Sequence, residues 1–164
     1  RGSRVETGLG LAVLDSGTLA AVGGLDPQVL GVYGVGEGGL ALSWSRKLDS
    51  GFRREVLVAS LLGGSHVGVE QEGGLLVLAR DGSARTLLPA PGWIRKVLDD
   101  PGRGFIFILR DALEGSFVDV WSPEGKRMGS WGPLATIHDM ALLEGGLLVM
   151  AGPEGILALE GQER

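Results

Sequence analysis

Thirty glycines are spread through 164 residues, and they cut the apolar runs of this chain into short pieces. They follow no Gly-X-Y period, so a collagen helix is excluded. Each interior glycine costs an α-helix about 1 kcal/mol, which makes long helices unfavourable throughout. The glycines fall instead where a chain would turn. Five segments share one plan, in which an apolar strand runs into a tight glycine-bearing turn and a second apolar strand follows: LGLAVLDSGTLAAVGG, LGVYGVGEGGLALSW, HVGVEQEGGLLVLARDG, IRKVLDDPGRGFIFILRD and IHDMALLEGGLLVMAGPEG. That plan reads as a series of antiparallel β-hairpins.

The first apolar residues after the five turns are Leu19, Leu40, Leu75, Phe105 and Leu147, at irregular spacing. Helical repeat arrays hold their period far more tightly. Further β segments follow the hairpins at 55–61, 84–88, 116–121 and 155–159, each expected as a third strand of its unit. In the fourth unit a turn at Pro123-Glu124-Gly125 leads to an outer strand at 127–131. Segments such as GLLVLA and GFIFIL are apolar at nearly every position, as in sheets buried on both faces, so a lone hairpin could not hide them. The units must stack on one another.

Residues 93–132 carry the plan most fully, with Val97-Leu98-Asp99-Asp100, then Gly104-Phe105-Ile106-Phe107-Ile108, then Val118-Asp119-Val120-Trp121. In this order the segment resembles the β-propeller repeats of the NHL and YVTN kind. The resemblance implies an all-β fold of antiparallel hairpin units arranged as a small or partial β-propeller. At roughly 40 to 45 residues per blade, the chain would supply about four blades. A single propeller-like domain is expected over residues 1–164. The chain opens on Arg1 rather than Met, which points to a fragment or processed product, and Arg1-Gly2-Ser3 can be read as a cloning remnant. In a closed ring, Val5 is expected to pair with Ile156 to Leu159.

Composition narrows the function classes. A net charge of −5 argues against a nucleic-acid partner, because such binding draws on a basic surface, and Arg53-Arg54, Arg95-Lys96 and Lys126-Arg127 are isolated pairs. No apolar run reaches the ~20 residues of a membrane-spanning helix, so no direct membrane insertion is expected. Cysteine and asparagine are absent, which rules out disulfides and thiolate metal sites. Arginine outnumbers lysine 12 to 3, a pattern that fits a thermophilic host.

Four groups of residues are candidate sites. His66 and His138 lie in strands that could face a propeller channel. Asp15, Glu37, Glu72, Asp99, Asp100 and Glu144 each close the first strand of a hairpin, where acids could ring a channel mouth and collect a cation. Asp99, Asp100, His138 and Glu144 are the candidate ligands, although turn chemistry and solubility explain acids at strand ends more simply. Propeller lactonases that use calcium carry Asn among their ligands, and this chain has none, so no metal and no cofactor is expected. The string Gly34-Val35-Gly36-Glu37-Gly38-Gly39 lacks the helix a dinucleotide loop needs, and no serine sits in a G-x-S-x-G elbow. Of the tryptophans, Trp93 and Trp131 are the candidate binding residues, since an exposed indole on a loop can hold a peptide or sugar.

The expectation is therefore a non-catalytic β-propeller-like scaffold or binding module of a larger protein or assembly, with a protein partner or self-association. A propeller-type hydrolase or lactonase with a metal in its channel is the alternative from another class, and a ligand-sensing extracytoplasmic domain is a third. A broad exposed apolar patch would favour the scaffold, and a metal at the acidic strand ends the enzyme.

Overall fold

A computed structural model describes residues 8–24, 27–49, 55–83 and 85–159. Apart from a single 3-10 turn at Glu144–Gly146, every regular element among them is a strand. Fifteen strands build four antiparallel sheets, each an up-and-down meander in chain order. Sheet 1 holds β1 (Gly8–Asp15), β2 (Thr18–Gly23), β3 (Val29–Gly36) and β4 (Gly39–Lys47). Sheet 2 holds β5 (Val58–Leu61), β6 (His66–Gln71), β7 (Gly74–Ala79) and β8 (Arg85–Pro89). Sheet 3 holds β9 (Trp93–Asp100), β10 (Phe105–Ala112), β11 (Gly115–Trp121) and β12 (Arg127–Leu134). Sheet 4 has three strands among the described residues, β13 (Asp139–Leu142), β14 (Leu148–Gly152) and β15 (Gly155–Leu159). The chain divides into two compact units, residues 1–89 with sheets 1 and 2, and residues 90–164 with sheets 3 and 4.

Turn chemistry sets the registers. Asp15 pairs with Thr18, Gly36 with Gly39, Gln71 with Gly74, Ala112 with Gly115 and Gly152 with Gly155, so five hairpins close through loops of only two residues. Such loops need positive φ, which glycine adopts without steric cost, and Gly73 has φ +85°. The first two hairpins expected from sequence are not separate units. Only a short connection separates β2 from β3, and a connection that short favours antiparallel pairing between its flanking strands, here with Gly23 opposite Val29. Sheet 1 then holds four strands among the described residues. The segment expected as its extra strand contributes only Val58–Leu61, and it opens sheet 2 instead, which makes Arg85–Pro89 a fourth strand and not a third.

Packing follows the expected double burial. Every residue of Gly74–Leu78 in β7 is buried, as are Ile106 to Arg110 in β10. In the first unit, Leu14, Ala20, Val22, Leu30 and Val32 of sheet 1 pack with Val67, Val69, Leu76 and Leu78 of sheet 2. Backbones come close at this seam: a Cβ on Gly10 would stand 2.1 Å from the Val56 carbonyl oxygen, and one on Gly64 (φ +84°) 2.2 Å from that of Leu14. In the second unit, Phe107, Leu109, Val118 and Val120 of sheet 3 pack with Met140, Leu148 and Met150 of sheet 4. Ser116 ties the same seam by accepting the Ile137 backbone N–H at 3.0 Å.

One ionic cluster is buried in sheet 3. Asp119, only 1% exposed, accepts bonds from Arg110 Nε (2.5 Å), Arg127 Nη2 (2.5 Å) and Ser130 Oγ (2.7 Å). The Arg110 guanidinium also lies 4.4 Å from the Phe117 ring centre and donates to the Pro91 carbonyl. Burial pushes the Asp119 carboxyl up, but the donors from Arg110, Ser130 and Arg127 together outweigh it and hold the group below the ordinary carboxylate range. A depressed folded-state value means stability that is present above the unfolded value of about 3.9 and is lost as pH falls through the folded one.

Asp119→Asn should therefore cost about 3–5 kcal/mol at neutral pH, because it leaves a buried guanidinium uncompensated. Urea melts from pH 7 down to pH 2 check this: the gap between the two proteins should narrow below about pH 4. A gap that stays constant over that range would show that the Asp119 charge is not what stabilises the sheet.

Candidate binding face

The acidic strand ends are placed by turns, as their sequence positions suggested. Asp100 Oδ1 accepts the backbone N–H groups of Gly102 (3.1 Å) and Arg103 (3.2 Å), so its carboxylate shapes the β9–β10 turn. Arg103 in turn donates to the Gly145 carbonyl at 3.0 Å and lies 3.9 Å from Asp100 Oδ2. A guanidinium thus sits between the Asp100 turn and the Glu144–Gly146 turn, where the sequence offered acids as cation ligands only as the lesser reading beside turn chemistry. His138 is exposed and fixed through its backbone N–H, which donates to the Ala151 carbonyl at 2.7 Å. Asp139 pairs with Lys96 Nζ at 2.6 Å, which holds its carboxyl low. Among the described residues, no three His, Asp or Glu side chains gather as metal ligands do.

The row of acids also breaks. Asp15, Glu37, Asp99, Asp100 and Glu144 follow first or third strands of their sheets, but Glu72 follows the second strand, β6. Successive turns of a meander alternate ends, so Glu72 lies at the other end of its sheet. The extra strand β5, which the sequence reading assigned elsewhere, causes this shift.

An open groove of about 690 Å³ lies in the first unit, lined in part by Thr18, Ser43, Trp44, Ser65, Arg80 and Asp81. Its polar groups are turned on each other. Arg80 donates to Asp15 and to Thr18 Oγ1, Trp44 Nε1 donates to the Arg80 carbonyl at 2.6 Å, and the Arg80 N–H donates to the Ser65 carbonyl at 2.9 Å. The Gly17 N–H bond to Asp15, followed by Arg80 and Thr18, holds the Asp15 carboxyl below its usual range. This network staples sheet 1 to sheet 2. Beside it, Ser65 Oγ and His66 Nδ1 are 2.9 Å apart.

The tryptophans separate clearly. Trp93 opens β9 and is 68% exposed, whereas Trp131 on β12 is partly buried against the apolar core of sheets 3 and 4.

Sheet 1 carries the broadest feature that residue-by-residue motif reading missed. Cross-strand registers put Leu11 beside Ala21 and Gly31, Val13 beside Leu19, Tyr33 and Leu42, and Val35 beside Leu40. Alternation along each strand sends all of these away from the face that meets sheet 2. Leu11 is 64% exposed, Val13 65%, and Val35 and Leu42 49% each. A four-stranded apolar sheet face is thus open to solvent. Part of the signal was present in GLALSWSRK, where Leu40 and Leu42 alternate with small residues as in a half-exposed strand, but the registers were needed to see the whole face, and a bulge beyond Leu42 turns Trp44 to the side that meets sheet 2.

No protein-family model matches the chain, and no curated protein matches it in sequence. Solved structures do match in shape. A chain from the crystal structure of a nidogen/laminin complex is similar over 93% of this chain and 60% of its own, with TM-score 0.63 and 17% identity. The crystal structure of a protein of unknown function from Bacteroides caccae gives TM-score 0.62 and 16% identity, over 94% of this chain and 57% of its own. The WD40 domain of SCAP from fission yeast gives TM-score 0.54 and 13% identity, over 98% of this chain and 45% of its own. The chain spans about three-fifths or less of these proteins. Four meander sheets of three or four strands, together with these likenesses, give the chain a β-propeller-like fold.

Proposed function

We propose that this chain is a non-catalytic β-propeller-like binding or scaffold module of a larger protein or assembly, and that it meets a protein partner through the outer face of sheet 1. The observation that carries the reading is the open apolar surface of Leu11, Val13, Val35 and Leu42. Fully burying a side chain of this kind is worth about 1.5–3 kcal/mol, so a face of four half-exposed ones favours being covered even after the cost of association is subtracted. Contiguous apolar surface with this exposure marks an interaction site more often than chance. Propeller-like neighbours that include a chain of a protein–protein complex support the same reading. The hydrolase alternative is less supported, because Arg103 occupies the position between its proposed acidic ligands.

The double substitution Leu11→Asp/Val13→Asp tests the face in submicromolar solution. Both side chains are exposed, so the melting temperature should change little. Binding of an apolar dye such as ANS to the folded protein should fall several-fold. A large drop in melting temperature, or dye binding equal to that of the unaltered protein, would remove the face as a docking surface.

A further inference from the structure

We infer that the first unit holds a binding site for a small phosphate monoester, where the last strand of sheet 1 faces sheet 2. A cavity of about 420 Å³ lies there, with Arg46, Lys47 and Asp49 on the sheet 1 side and Gln71, Leu76, Arg85 and Leu87 on the sheet 2 side. The site goes beyond the docking reading of sheet 1 and stands separately from it.

Strand alternation places these groups. Trp44 packs against the core that sheets 1 and 2 share, so Arg46, two residues on and with no bulge between, points to the same side. Its register partner Leu30 belongs to that core. From sheet 2, Val67 and Val69 of β6 enter the same core, which sends Gln71 toward sheet 1. Leu76 and Leu78 of β7 do likewise, and their partners on β8 are Leu87 and Arg85. Directly opposed residues of an antiparallel pair share a face. Two guanidinium groups therefore approach one cavity from facing sheets, beside a wall made by Leu76 and Leu87.

Pairing separates these cations from the rest. Among the described residues, Arg80, Arg95, Lys96, Arg103, Arg110 and Arg127 each lie against an aspartate. Where Arg80 crosses the same seam, Asp15 and Thr18 receive it. Arg46, Lys47 and Arg85 have no such partner among the described residues, although all three line the cavity. Like charges that face each other repel, and a bound anion removes that cost. Three cations against the one carboxylate of Asp49 leave an excess of about two positive charges, which matches the charge of about −1.5 to −2 on a phosphate monoester near pH 7. Guanidinium forks meet phosphate oxygens two at a time, and Gln71 adds amide donors. The leucine wall favours an ester with an organic part over a bare ion, and the cavity has the size of a small-molecule site.

Isothermal titration calorimetry with phenyl phosphate at neutral pH and low salt tests the inference, with circular dichroism to confirm folding. The unaltered chain should bind it saturably with a Kd of about 1 mM or tighter, and inorganic phosphate several-fold more weakly. Arg46→Gln and Arg85→Gln should each weaken binding about ten-fold, as the loss of a charge-assisted hydrogen bond does. Lys126→Gln removes a cation that does not line the cavity and should leave binding unchanged. Arg85 is exposed at the start of β8, so Arg85→Gln carries the test if Arg46→Gln fails to fold. Absence of saturable binding up to about 20 mM phenyl phosphate overturns the inference. So does an equal loss from Lys126→Gln, or inorganic phosphate binding as tightly as the ester. None of these results bears on the sheet 1 face, whose dye test uses Leu11 and Val13.

Discussion

The inner strands β7 and β10 are buried on both faces, and no other constraint decides as much of this structure. A strand of consecutive apolar residues cannot sit in a two-layer sheet with one wet side. It must lie between layers, so each sheet needs another against it. Sheet 2 meets this need on one side through sheet 1, and sheet 3 through sheet 4. Within each unit such packing leaves outer faces. Their composition therefore matters as much as that of the core, and in the first unit the apolar outer face of sheet 1 is left open.

Polar groups keep the stacked sheets in register. The Arg80 guanidinium reaches Asp15 and Thr18 across the first seam, and Ser116 reaches the Ile137 backbone across the second. Asp119 pairs with the buried Arg110, and with the half-exposed Arg127, inside sheet 3, where an unpaired buried guanidinium would cost about 3–5 kcal/mol. Glycine at Gly10 and Gly64 allows the backbones to approach where any side chain would collide. The same residue type thus serves two ends in this chain, as a turn former and as a spacer of zero thickness.

Much of this was legible in the sequence, for local reasons. Two-residue turns announce themselves through glycine, and doubly buried strands through unbroken apolar runs, so hairpins, the all-β class and the propeller resemblance were all readable. Grouping the hairpins was not. Whether β2 pairs with β3 depends on a short connection, and moving Val58–Leu61 from one sheet to the next changed which end of sheet 2 carries Glu72. The buried role of Arg110 and Asp119 was hidden because charged residues in a strand normally signal a solvated face. Val5 and its expected pairing with β15 lie outside the described residues. The open face of sheet 1 was invisible as a motif, since it is made by registers between four strands and not by any one of them.

Amide hydrogen exchange read by mass spectrometry tests the central claim most directly. Strands β7 and β10, buried on both faces, should exchange slowest. Strand β1, whose outward Leu11 and Val13 are exposed, should exchange faster. Exchange in β7 and β10 as fast as in β1 would contradict the account.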